Sequence, residues 1–198
     1  AASDVYKRQV NHFGKIDYLI NNAGLSYRGL VAETELDVYR KLMEVNYFGT
    51  IALTKQVLPI MLAQKSGHIA VTTSIAAKVG TQIRSAYSGA KHALHGFFDS
   101  LRMEIYQDNI HVTILVPGFV QTNLTKSALT ADGSTYNKVD DAIANGMTPE
   151  KCAKIYLRSI AKQKEEVIIS EGKEIIAPYL KRYVPSLLTP LLKRLPVK

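Results

Sequence analysis

Apolar positions along the chain fall into two alternating kinds of segment. Short unbroken runs stop at turn residues, and longer stretches return an apolar residue every three or four positions. Ile16-Asp17-Tyr18-Leu19-Ile20 is the first run and stops at Asn21-Asn22-Ala23-Gly24, which predicts a buried strand ending in a turn. Thr34 and Asp37 then give a capping-box-like start. Leu36, Tyr39, Leu42 and Met43 recur at helical spacing on a segment running toward Gln64, with Gly67 as its stop. His68-Ile69-Ala70-Val71-Thr72-Thr73-Ser74 predicts a second buried strand. Ala90, Leu94, Phe97, Leu101 and Ile105 mark the inward stripe of a second long helix, with Phe97 and Phe98 in the core.

His111 to Val116 predicts a third strand, closed by Pro117-Gly118, and an irregular polar stretch containing Gly133 follows as far as Gly146. A loop that long is usually functional. Thr148-Pro149-Glu150 reads as an N-cap with proline at the first helical position, and Cys152, Ala153, Tyr156, Leu157 and Ile160 supply a buried face. Glu166-Val167-Ile168-Ile169 predicts a fourth strand. Strands alternating with helices imply an α/β fold, a parallel sheet covered by helices on both faces, with ligands beyond the carboxyl ends of the strands.

Composition adds little to this picture. The 198 residues, 46% hydrophobic and 21% charged, suit one ordinary domain core. The formal charge of +8 comes with no dense basic run interleaved with aromatics and no zinc-type spacing, so the sequence points to neither nucleic acid nor a metal centre. The single thiol, Cys152, excludes an internal disulfide framework and suggests a reducing, cytoplasmic setting. His92 and His95 are the one close pair among five histidines, and their spacing suggests helix surface. Residues 1–9 are expected to carry no function.

Tyr87 and Lys91 lie four apart at the start of the second long helix, so both side chains share a face. Bringing a tyrosine from its usual pKa near 10 to about 7 costs about 4 kcal/mol. One ammonium about 4 Å away, at an effective dielectric near 20, supplies about that much. Ser74, at the end of the second strand, is placed to donate a hydrogen bond to the same substrate oxygen. Taken singly, each signal has a plainer meaning: a solvated helix face, a strand-end hydroxyl, or turn chemistry at Asn21 to Gly24.

In this order and spacing, Asn21-Asn22-Ala23-Gly24, Asn46, Ser74, Tyr87-x-x-x-Lys91 and Pro117-Gly118-x-Val120-x-Thr122 resemble the motif series of the short-chain dehydrogenase/reductase family, over about residues 10–170. The resemblance implies a Rossmann-like doubly wound parallel sheet and hydride transfer between NAD or NADP and a carbonyl or secondary alcohol. Tyr87 would be the general acid/base. Lys91 would lower its pKa and contact the nicotinamide ribose, Ser74 would orient the substrate, and Asn46 would anchor a water that relays protons. Asn21, Ala23 and Gly24 would border the adenosine ribose, and Pro117, Gly118, Val120 and Thr122 would hold the nicotinamide side.

The family's Gly-rich phosphate turn does not occur in this sequence. The expectation is therefore a partial domain, lacking three strands of the family sheet, that folds poorly alone and binds cofactor weakly. Residues 123–147 would cover a substrate of lipophilic character. The stretch Tyr87 to Glu104 resembles the branch holding hydroxysteroid-dehydrogenase-like and dehydrogenase/reductase-member-7-like enzymes, which suggests NADP. The basic tail, 173–198, invites peripheral contact with an anionic membrane, and the family implies a homodimer or homotetramer. The other readings are a catalytically silent nicotinamide-binding or scaffold relative, against which the intact Ser74, Tyr87 and Lys91 speak, and a sugar-nucleotide epimerase or dehydratase, against which the short chain after Val120 speaks.

Overall fold

The structure, a computed structural model, describes residues 2–194, and side chains from residue 6 onward; Lys198 of the predicted tail lies outside these residues. Four strands, β1 (Tyr18–Asn21), β2 (Gly67–Thr72), β3 (Ile110–Pro117) and β4 (Glu166–Ile169), pair side by side in chain order, every neighbour parallel. Parallel neighbours need long crossovers, and helices supply them. Between β1 and β2 run α2 (Leu36–Met43) and α3 (Gly49–Gln64); α4 (Ser85–Glu104) joins β2 to β3, and α5 (Asp141–Ala144) and α6 (Pro149–Ala161) join β3 to β4. Helix α1 (Ala2–Phe13) precedes the sheet, and α7 (Ala177–Tyr183) and α8 (Pro185–Lys193) follow it.

The sheet separates two cores. On one face Ile69, Val71, Val112 and Ile114 meet Val57 and Met61 of α3 and Leu94, Phe98 and Leu101 of α4. On the other, Ala70, Leu115 and Ile169 meet Cys152 and Ile160 of α6. The inner strands β2 and β3 are accordingly buried on both faces and read as continuous apolar runs. The edge strand β1 is not: Tyr18 and Ile20 are exposed while Leu19 and Asn21 are buried, so the run predicted as wholly buried is covered on one side only.

The predicted helix from Thr34 to Gln64 is interrupted. A π-helical turn, Glu44–Phe48, sits between α2 and α3 and turns Asn46 wholly inward. Thr34 does not cap α2, because its hydroxyl donates to the Leu30 carbonyl at 2.6 Å and hydrogen-bonds the Tyr27 phenol; Leu36 is exposed. The helix ends at Gln64, as its pattern predicts, but its cap, two residues before Gly67, is Lys65, which adopts the left-handed conformation at φ 53°. Gly67 instead opens β2 against Met61, where a Cβ would lie 2.5 Å from the sulfur.

Thr148 caps α6 as expected, accepting the Lys151 amide at 3.3 Å. The buried face of α6 is Cys152, Ser159 and Ile160, while Ala153 and Leu157, assigned to it from the sequence, face solvent. His95 also departs from expectation. It is buried, bonded through Nε2 to the Thr73 hydroxyl at 3.1 Å, with Nδ1 3.4 Å from Glu166. The opening residues, expected to be inert, form α1, whose Tyr6 packs on the α3–α4 core.

Candidate active site

The carboxyl ends of β1, β2 and β3 bring the motif residues to one edge of the sheet. Ser74 follows β2, and its Oγ accepts the Ala76 amide at 3.1 Å, capping the short turn Ile75–Ala77. Helix α4 starts across from it. Tyr87 and Lys91, one turn apart on α4, both point inward and are almost fully buried. The Lys91 ammonium stands 5.9 Å from the Tyr87 ring centroid and donates to the Thr72 carbonyl at 2.8 Å.

Burial dominates the electrostatics of this pair. It pushes the Lys91 ammonium down to about 8, since the charged form is the one penalised out of water. It pushes the Tyr87 phenol up, opposed in part by hydrogen bonding from Ser74 and by the charges of Arg84 and Arg28. In the chain alone burial thus outweighs the groups that acidify the phenol. Tyr87 packs among Tyr27, Val38, Leu42 and Leu129, and the Lys91 hydrogen bond goes to a backbone carbonyl.

Asn46 closes the floor. Its Oδ1 accepts the Leu25 amide at 2.7 Å and its Nδ2 donates to the Leu25 carbonyl at 2.8 Å, so both side-chain groups grip one residue of the loop after β1. Gly24 fits between: a Cβ there would lie 3.0 Å from Asn46 Oδ1 and 3.4 Å from Lys91 Nζ. Asn21, expected at the cofactor, is buried and donates to the Thr54 hydroxyl at 3.1 Å, tying β1 to α3; Ala23 is exposed. Pro117 ends β3, and the Gly118 amide donates to Ile169 at 2.9 Å. A Cβ at Gly118 would lie 2.6 Å from Ser170 Oγ, so the glycine already admits a close protein neighbour. Val120 bridges Met147, and Thr122 opens on a cleft of ≈ 330 Å³ lined also by Gln121, Asn123, Lys126, Val139 and Ile143.

Three charged residues escaped the sequence reading. Arg28, Arg84 and Asp140 form a cluster beside Tyr87, Arg28 buried and the other two half-buried. Arg28 and Asp140 are 112 positions apart, and no local pattern joins them. Behind the site, Glu166 is held down to about 2 by His95 and Lys78, whose ammonium lies 2.7 Å away. Through His95 and Thr73 this group braces the residue before Ser74.

The sequence model of the short chain dehydrogenase family matches residues 1–133. The chain belongs to that family. The chain is 44% identical over 175 residues to dehydrogenase/reductase SDR family member 7B of Bos taurus, covering 88% of this chain and 54% of that protein. It is 45% identical to the dehydrogenase/reductase SDR family protein 7-like of Drosophila melanogaster, with the same coverage of 88% and 54%. The chain thus spans about half the length of the curated relatives it matches. Among solved structures, a short chain dehydrogenase/reductase from Burkholderia phymatum in complex with NAD superposes at a TM-score of 0.80 with 20% identity, covering 94% of this chain and 72% of that one. A short-chain dehydrogenase from Streptomyces avermitilis superposes at 0.73 with 24% identity, covering 97% and 73%. The shared fold is the Rossmann-like α/β sheet.

Proposed function

We propose that the protein to which this chain belongs moves hydride between NAD(P)(H) and a carbonyl or secondary alcohol, with Tyr87 as general acid/base. The observation that carries this reading is the meeting of Ser74, Tyr87 and Lys91 at the carboxyl ends of the strands, two of them buried from sequence-adjacent turns of α4. The nicotinamide, when bound, supplies or accepts the hydride. Tyr87 gives a proton to, or takes one from, the substrate oxygen, and Ser74 donates a hydrogen bond to that oxygen. Lys91, drawn down to about 8 by burial, still carries its charge at neutral pH, and its field at the phenol is less screened as water leaves the site, which favours the phenolate.

The residues present suit a nucleotide. Gly24 leaves a cradle beside Lys91 that a side chain would fill, and Thr122 stands in an open cleft at the end of the same sheet. Ala23, Gly24, Lys91, Pro117, Gly118, Val120 and Thr122 would hold it, with Asn21 and Asn46 fixing the loop that presents Gly24. Resemblance to the member-7-like branch favours NADP and a lipophilic carbonyl. The test is absorbance of reduced cofactor across a carbonyl panel with the whole protein. Tyr87→Phe is expected to lower kcat by about 10²- to 10⁴-fold. Full activity of Tyr87→Phe would overturn the assignment.

We propose further that the tail touches an anionic membrane surface. Tyr179 and Tyr183 of α7 and Leu187 and Leu191 of α8 are exposed at four-residue intervals, and Lys181, Arg182, Lys193 and Arg194 lie among them. No helix among the described residues is long and apolar enough to cross a bilayer. Flotation with liposomes containing phosphatidylserine, with and without residues 173–198, tests this; equal flotation of both forms argues against it. The homodimer or homotetramer that the family suggests would be read by sedimentation.

A further inference from the structure

Asp140 belongs to the 123–147 loop, and its Oδ2 accepts Arg28 Nε at 3.0 Å, Arg28 Nη2 at 2.5 Å and Arg84 Nη2 at 3.0 Å. The three residues come from three elements: the loop after β1, the residue preceding α4, and the loop over the site. The arginines cannot easily follow the loop if it moves. Arg28 is 2% exposed at its side chain, and Nη1 also donates to Ser26 Oγ at 3.0 Å and the Tyr27 carbonyl at 2.8 Å. Its guanidinium lies 5.7 Å from the Tyr136 ring, contributed by the same loop. Backbone bonds reinforce the seam, with the Arg28 amide donating to Leu129 at 2.8 Å and the Leu129 amide to Ser26 at 3.0 Å.

We propose that Asp140 is a positioning residue that latches the 123–147 loop onto Arg28 and Arg84, and that its carboxylate sets the net charge facing Tyr87. This rests on the reading of Tyr87 as the proton-transferring group. The groups around that phenol are Arg84 and Lys91 from α4, Arg28 and Tyr27 from the loop after β1, Ser74 after β2, and Tyr39 of α2, which packs on the same cluster and hydrogen-bonds Ser85 at 2.8 Å. Tyr156 from α6 faces the phenol as well, and Tyr136 and Asp140 from the covering loop reach it through Arg84. Three are cations, and Asp140 is the one carboxylate among those named. Arg84 bears the strain of the crowding, drawn down to about 10 by burial and by the charge of Arg28 while Asp140 pulls the other way. Removing the carboxylate charge leaves two guanidiniums repelling each other out of water, with nothing to hold the loop. It also strengthens the positive field at the phenol, which favours the phenolate.

The test uses the whole protein with Asp140→Asn, measured in two ways. Amide hydrogen exchange without substrate or cofactor should show residues 123–147 exchanging at least ten-fold faster. The pH profile of kcat/KM, with Tyr87→Phe as the inactive control, should show its midpoint lowered by about one unit, in reduction and in oxidation alike. Unchanged loop exchange would overturn the latch, and an unmoved midpoint would overturn the charge-setting role. Should Asp140→Asn not fold, Arg84→Gln removes a cation while leaving the Arg28–Asp140 pair. It should raise the midpoint with loop protection retained, and a lowered or unmoved midpoint would count against the proposal. If Tyr87→Phe proves active, the assignment of Tyr87 fails by itself, and the exchange measurement still judges the latch.

Discussion

Asn46 shows how much one side chain contributes when both its polar groups are buried and paired. Replacing it by alanine strands the amide and carbonyl of Leu25, and the expected cost is about 2–4 kcal/mol in urea unfolding. Gly24→Ala acts on the same spot from the other side, displacing Asn46 or Lys91 by a few tenths of an ångström. It is expected to lower kcat at least ten-fold while stability falls by about 1–2 kcal/mol; steady-state kinetics beside thermal melts separate the two. His68 gives a pH signature. Buried, and beside His111, it is depressed to about 4, so the folded chain refuses a proton that the unfolded chain accepts near 6.5. Its contribution is complete above pH 6.5 and is lost as pH falls through 6.5 toward 4, about 3 kcal/mol in all. Urea midpoints of wild type and His68→Gln at pH 7.5 and 5 check this: the variant should depend less on pH. That Tyr87 and Lys91 share one face of α4 was legible from their four-residue spacing, and the place of Ser74 from the end of the apolar run of β2. Arg28, Arg84 and Asp140 were not, because a contact across 112 residues leaves no local trace.

At the level of elements, α4 carries the predicted stripe, and β3, β4 and the start of α6 stand within one or two residues of where the sequence puts them, helped by strong punctuation at Pro117-Gly118 and Thr148-Pro149. The break between α2 and α3 carries none. Glu44-Val45-Asn46-Tyr47-Phe48 continues the helical pattern, and only the need to bury Asn46 against Leu25 reveals the wider turn. The end of α3 at Gln64 was legible, but its cap was not: a lysine carries no sequence mark of a left-handed cap, and the nearby Gly67 does. Ala153 and Leu157 fit the helical period of α6 but lie one position off the stripe that meets β3 and β4. For Thr148→Ala, loss of the cap bond is expected to cost about 1 kcal/mol, read from chemical denaturation.

For the whole molecule, the open side of β1 governs behaviour. Tyr18 and Ile20 are exposed on a strand whose outer edge has no partner among the described residues, and the chain covers 54% of its bovine relative. The 198-residue polypeptide alone is expected to self-associate through this edge and to show no tight nicotinamide binding by calorimetry. Ile20→Lys should shift its sedimentation toward monomer; an unaltered distribution would contradict the edge account. The sheet's arrangement carries one more consequence. Because no strand among the described residues is inserted between two earlier ones, the sheet can grow outward as a wall is built, each course resting on the last. The stretch ending at Pro117 contains every segment that β1, β2 and β3 need for their mutual register, and β4 adds at the outside.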